Sequence, residues 1–242
     1  MRRAAKATVL IVLAGFALAA CSGSDEGETT DFETTPTRIE VTAGSGNVTV
    51  DGSSPRDGTV VTIERNDAAA DTEVSIDLDE NGLLTVSDGC GTDADCEIGY
   101  RIEFDADSDV AVTAGGGLVV IGDVTGSIVI DSGGGDLTLA STSGEIEAAT
   151  GGGRLLGTQL VSQSATIDTG GGDTDVTFNE PIDDLSVSTD GGRLTAQLSG
   201  GPYLVDADAG GGSLSVLVDE SADAERTATL RSDGGDITVY RR

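Results

Sequence analysis

Three cysteines and no histidine set the bounds on the chemistry open to this chain. Without histidine the commonest general base and metal ligand is missing, and Ser-His-Asp or Cys-His nucleophilic catalysis is excluded. Cys21 follows Leu18-Ala19-Ala20 at the end of an apolar run, whereas Cys90 and Cys96 stand close together among aspartates. In an oxidising compartment two such cysteines pair as a disulfide, and their spacing fits neither a CxxC redox motif nor a zinc site. The strands flanking them read as a hairpin whose loop that bond closes. No metal is expected. Asp88, Asp93 and Asp95 crowd the same loop and are the oxygen ligands that would hold Ca²⁺ if one bound, although their spacing is not that of an EF-hand. No carboxylate pair stands out from the acidic background, and aromatic residues for stacking sugars are scarce at 3%.

The residues ahead of Cys21 explain its position. Arg2, Arg3 and Lys6 form a positive start, Ala7 to Ala17 is apolar, and small residues precede the cysteine. That order marks a cleaved export signal, and the apolar run is too short for an ordinary membrane span. The segment closely resembles a bacterial lipoprotein signal with its lipobox. The resemblance implies that residues 1–20 are removed and that Cys21 carries a diacylglycerol thioether at the extracytoplasmic face of the cell membrane. Two acyl chains suffice for stable anchoring. Residues 21–37 are polar and acidic and are expected to form a solvated tether.

Loss of Lys6, Arg2 and Arg3 with the signal leaves about ten arginines against 43 acidic residues. So acidic a chain does not suit nucleic acid, whose phosphates demand a basic surface. It suits a solvated exterior.

The dominant signal is internal repetition. Clusters recur at Gly115-Gly116-Gly117, Gly133-Gly134-Gly135, Gly151-Gly152-Gly153, Gly170-Gly171-Gly172, Asp190-Gly191-Gly192, Gly210-Gly211-Gly212 and Asp233-Gly234-Gly235, with an outlying copy at Gly44-Ser45-Gly46. Apolar residues alternate on both sides of each cluster, which means two short strands joined at a glycine corner. The glycines are expected to supply positive φ and close backbone approach. One such unit cannot bury its apolar face alone, but stacked units can. The fold expected is therefore all-β: a single-stranded β-solenoid, or β-helix, with about 18–20 residues per turn over residues 110–242. Residues 38–109 hold the first repeat and β-hairpins that cap the stack. Taken in sequence order, one internal file reads Val119, Leu137, Leu155, Thr174, Leu194, Leu214, Ile237. The residue after each cluster predicts an outward ladder of Asp136, Arg154, Asp173 and Arg193 that fixes register between turns. Asn179 to Asp184 and Ser199 to Tyr203 read as surface loops, and the final strand, ending Tyr240-Arg241-Arg242, is expected to guard the far edge with charge.

The pattern IEVTAGSGNVTV, followed by strands and then by VTAGGGLVVIGDVTGSIVIDSGGGDLTL, resembles the bacterial "putative adhesin" domain of unknown function, a β-solenoid family. The resemblance spans nearly all of the chain beyond the tether. It implies a cell-envelope role and brings no catalytic residues or cofactor with it. The function expected is thus a non-catalytic surface lipoprotein binding an unidentified envelope or surface component. The alternative is a carbohydrate-active β-helix enzyme working with paired carboxylates.

Overall fold

The computed structural model describes residues 27–54, 58–91 and 93–242. Cys21 and the export signal lie outside them. The N-terminal part contributes β1 (Glu28–Phe32), β2 (Arg38–Ala43), β3 (Val48–Asp51), β4 (Thr59–Arg65), β5 (Val74–Leu78), β6 (Leu83–Asp88) and β7 (Ile98–Glu103). The repeats follow as β8 (Asp109–Ala114), β9 (Val119–Gly122), β10 (Ile128–Ser132), β11 (Leu137–Ala140), β12 (Ile146–Thr150), β13 (Leu155–Leu160), β14 (Ser164–Thr169) and β15 (Thr174–Phe178). Then come β16 (Asp184–Thr189), β17 (Leu194–Leu198), β18 (Tyr203–Asp208), β19 (Leu214–Leu217), β20 (Arg226–Ser232) and β21 (Ile237–Arg241).

Each glycine-cornered unit gives one strand to each of two sheets, and the core lies between them. The first sheet runs β1-β4-β7-β3-β9-β11-β13-β15-β17-β21-β19, the second β18-β20-β16-β14-β12-β10-β8-β2-β6-β5. Pairing between turns is parallel and nearly unshifted, so inward residues line up. Val112, Ile130, Ala148, Ile167, Val187 and Leu230 form one buried file, and each well-buried aliphatic side chain contributes roughly 1.5–3 kcal/mol. Where Gly157 leaves a hole in its file, the chain bulges and Leu160 fills the gap from two strand positions on.

Order along the stack departs from order along the chain at both ends. At the C-terminal end β20–β21 sits against β16–β17, and β18–β19 lies outside it. The buried file therefore reads Leu194, Ile237, Leu214, and Leu214, at the end, is 49% exposed. The final strand does not guard the edge, because it is inserted one coil in. At the N-terminal end β6 pairs parallel with β2, and β7 parallel with β3. β6 and β7 belong to different sheets, so they form a further coil and not the hairpin expected around the two cysteines. The hairpin is β5 on β6, while β4 lies antiparallel on β7 across a longer connection, with β1 antiparallel on β4.

That last pairing corrects the tether expected through residue 37. Glu28–Phe32 covers the edge of β4, Phe32 packs against the core, and Arg65 holds Glu28 at 2.7 Å. A similar correction applies to the two expected surface loops. Ile182 is fully buried, and Tyr203 is a buried strand residue whose hydroxyl donates to the Ser199 carbonyl at 2.7 Å.

Most corner glycines serve close approach, not positive φ. Among the cluster residues only Gly117 and Gly210 have positive φ. A Cβ on Gly153 would overlap the carbonyl of Gly135 in the neighbouring turn, whereas one on Gly152 would meet nothing within 4 Å. Beneath the corner runs a buried file of hydroxyls. Thr150 Oγ1 donates to Gly135 O at 3.1 Å and accepts from Gly153 N at 3.2 Å. Thr189 and Ser232 repeat the arrangement, which pairs corner groups that would otherwise be buried without partners.

Candidate functional site

The corner of the β6–β7 coil has no glycine cluster. It is longer, and the Cys90–Cys96 disulfide, with Cα atoms 5.5 Å apart, holds it closed. Asp88 is folded into this corner. One carboxylate oxygen accepts from Cys90 N at 3.0 Å, and the other accepts from Tyr100 Oη at 3.0 Å and Gly44 N at 3.3 Å. Burial, then the neighbouring Asp88 charge and its hydrogen bond, raise the Tyr100 phenol above its ordinary range. Asp93 caps its own turn through Asp95 N at 3.1 Å. The three aspartates named as Ca²⁺ ligands therefore do not converge, and among the described residues no group of three or more acidic or cysteine side chains is gathered as a metal would need. The physical reason is that Asp88 is already engaged by backbone and phenol donors.

Beside this corner lies a groove of about 530 Å³ between β7, β4 and the first glycine corner. Ser45, Asn47, Glu64, Glu97, Tyr100 and Arg101 line it. Apart from Ser45, in the outlying glycine cluster, none of these carries a signal in the sequence, because only the parallel pairing of β7 with β3 and the antiparallel pairing of β4 with β7 bring them together. The groove is polar and carries both signs of charge, so it can take a hydrogen-bonding ligand but offers no apolar pocket.

The second candidate is the outward edge of the glycine corner on the first sheet. Asp136, Arg154, Asp173 and Arg193 occupy successive turns there, because Leu137, Leu155, Thr174 and Leu194 pair in order. Their bonds differ from a simple ladder of opposite charges. Asp136 Oδ1 accepts from the Arg154 backbone N at 2.8 Å, while the Arg154 guanidinium reaches Asp175 at 3.9 Å. Asp173 Oδ1 likewise accepts from Arg193 N at 2.8 Å, and its other oxygen pairs with the Arg193 guanidinium at 3.1 Å. These contacts, the backbone N–H first, lower the Asp173 carboxyl below its usual range. Arg154, Asp173, Asp175, Arg193 and Thr195 together form an open shelf of about 300 Å³. Guanidiniums in neighbouring positions suit carboxylate or hydroxyl groups on an extended ligand.

No family model matches the sequence, and no curated protein matches it. Solved structures do. The chain is similar to a putative adhesin from Parabacteroides merdae, at 11% identity and a TM-score of 0.50, over 91% of this chain and 98% of that one. It is also similar to a putative adhesin from Bacteroides fragilis, at 17% identity and a TM-score of 0.47, over 90% and 98%. A putative lipid binding protein from Parabacteroides distasonis aligns at 10% identity and a TM-score of 0.45, over 89% and 98%. The likeness to the Parabacteroides merdae protein is one of fold, and it agrees with the resemblance carried by the glycine repeats.

Proposed function

We propose that this chain is a non-catalytic lipoprotein, held by Cys21 at the extracytoplasmic face of the cell membrane, which presents its acidic β-solenoid for adhesion or for binding envelope components. The observation that carries this reading is the parallel stacking of the coils, which holds two long outward faces rigid and in register. A rigid extended face with regularly repeated side chains is what solenoids use for binding. The name adhesin carried by the Parabacteroides merdae protein of like fold supports the same reading. So does the signal-like N-terminus, since an export signal would carry the domain out of the cell.

The test has two arms. Cys21→Ser is expected to move the chain from the membrane fraction to the soluble exported fraction. A photo-crosslinker at Thr195, beside the Arg154–Arg193 shelf, is expected to capture a defined envelope component in intact cells, and Arg154→Ala with Arg193→Ala to reduce that capture. Retention of the Cys21→Ser chain on the membrane would overturn the anchor. Turnover of a polysaccharide lost on a single Asp→Asn change would overturn the non-catalytic role.

A further inference from the structure

Gly99 sits inside β7, where a glycine weakens the strand because it has no side chain to pack and more backbone freedom to lose. Nothing in the fold requires it there. Its φ is not positive, and a Cβ would come no nearer than 3.5 Å, to the Asn47 carbonyl. Gly153, by contrast, is held to glycine by the carbonyl of Gly135. What the missing side chain at Gly99 does supply is the floor of the groove of about 530 Å³ between β7, β4 and the first glycine corner. A strand glycine with room for a side chain marks a surface that something else approaches closely.

The register sets charged side chains around that floor. Glu64 stands opposite Gly99 on β4, Arg101 follows two residues along β7, and Glu97 precedes it by two. All three line the groove, and among the described residues none has a side-chain partner. For Arg101 this is exceptional. Every other described arginine is ion-paired or hydrogen-bonded through its side chain. Arg101 stays exposed and unengaged in a sequence with 43 acidic residues.

The walls are held in place. Asn66 clamps the segment that carries Glu97: its Oδ1 accepts from Glu97 N at 3.3 Å, and its Nδ2 donates to Asp95 O at 2.9 Å. The Cys90–Cys96 bond closes the corner directly before it. Asn47 Oδ1 accepts from Leu118 N at 2.9 Å, which fixes the amide and leaves its NH₂ without a partner among the described residues.

We infer that this groove binds a short zwitterionic peptide, with its ammonium between Glu64 and Glu97, its terminal carboxylate on Arg101 and its backbone laid over Gly99. The planar fork of a guanidinium matches a carboxylate, and an ammonium has donors for both glutamates. The acidic chain repels a net anion, whereas a zwitterion carries its carboxylate in without net charge. Length agrees as well. Glu97 and Arg101 are about 13 Å apart along the strand, and three extended peptide residues span about 10 Å, a difference that the long side chains at either end make up. The Asn47 NH₂ is placed to donate to a peptide carbonyl. A neutral sugar would leave these charges unmatched and would need an aromatic face. Tyr100, the aromatic residue of the groove, is buried with its hydroxyl on Asp88. The site goes beyond the surface role proposed above and rests on neither the lipid anchor nor the Arg154–Arg193 shelf.

The full chain carrying Cys21→Ser, titrated with tri-alanine and followed by amide chemical shifts, tests the site without an acyl group. Shifts are expected at Gly99, Arg101 and Asn47, with affinity at least tenfold weaker for N-acetyl-tri-alanine and for tri-alanine amide. Arg101→Ala is expected to weaken tri-alanine at least tenfold while leaving the amide form unchanged, and Glu64→Gln to weaken tri-alanine while leaving the N-acetyl form nearly unchanged. Gly99→Val fills the floor. It is expected to abolish binding with a melting temperature no lower than the parent's, since valine suits a strand. Absence of shifts with millimolar tri-alanine, or equal affinity for the three peptides, overturns the site. Binding that survives Gly99→Val overturns the floor, and tighter binding of N-acetylglucosamine than of tri-alanine overturns the peptide. Should Gly99→Val fail to fold, the exposed Arg101→Ala still decides. None of these outcomes bears on the anchor or on crosslinking at Thr195, so failure here and failure of the proposed function are read separately.

Discussion

Asp236 Oδ1 accepts the backbone N–H of Ser213 at 2.7 Å, although Ser213 comes 23 residues earlier in the chain. The same bond joins Asn47 to Leu118 N at 2.9 Å, Asp136 to Arg154 N at 2.8 Å and Asp173 to Arg193 N at 2.8 Å. Read in spatial order, the post-cluster positions alternate without a break between a side chain that accepts and a residue whose N–H is taken: Asn47, Leu118, Asp136, Arg154, Asp173, Arg193, Asp236, Ser213. Every second turn interface thus carries a bond that fixes register. Asp236→Ala removes the last of them and is expected to cost about 1 kcal/mol, seen as faster hydrogen exchange confined to β18 and β19.

The corner glycines separate into two classes by what surrounds them. Gly153→Ala forces a methyl into the carbonyl of the adjacent turn and is expected to lower stability by about 3 kcal/mol in urea unfolding. Gly152→Ala meets open solvent and is expected to stay within about 0.5 kcal/mol of the parent.

Leu160 and Gly157 form a matched pair. Leu160→Ala empties the space beside Gly157 and is expected to cost about 3 kcal/mol. Gly157→Ala alone collides with Leu160. The two together are expected to cost less than the sum of the single changes, a coupling that a double-mutant cycle measures.

The disulfide closes a short loop, for which chain entropy gives about 2 kcal/mol. Cys90→Ser with Cys96→Ser is therefore expected to loosen the β6–β7 coil while the glycine-cornered turns keep their protection. Hydrogen exchange with and without reductant checks this.

Asp173 carries a pH signature. Its folded carboxyl is held low by the Arg193 N–H and guanidinium. Its contribution is accordingly present above the ordinary carboxylate range and is lost as pH falls through the folded value. Asp173→Asn is expected to cost under about 1 kcal/mol at neutral pH, since the pair is exposed, and nothing once the carboxylate is protonated. Unfolding curves at pH 7 and pH 2.5 compare the two.

How much of this was legible in the sequence depends on the range of the interaction that decides it. Alternation around each glycine cluster is local, so the strand pairs and the files through Val112, Ile130 and Ala148 could be read directly. The placement of Asp136 and Arg154 in adjacent turns follows from the same period. Which coil sits on which is set by complementarity between whole turns, and no spacing reveals that Ile237 lies between Leu194 and Leu214. The Cys90–Cys96 pair could be read as bonded, but not as a corner. The groove around Asn47, Glu64 and Arg101 had no signal at all, since it exists only through pairings between segments tens of residues apart.

The displaced final coil has a consequence for how the polypeptide assembles as it is delivered from its N-terminus. Strands β8 to β17 each arrive beside a finished template and can settle in order of synthesis. β18 and β19 arrive next, yet the surface they need belongs to residues not yet delivered. A product stopped before Arg226 lacks β20 and β21 and has only the β16–β17 rim to receive β18 and β19, a seat that excludes the rightful occupant. The last forty or so residues must therefore close as one cooperative event, and premature termination yields a well-bonded but wrongly ordered tip instead of a frayed one.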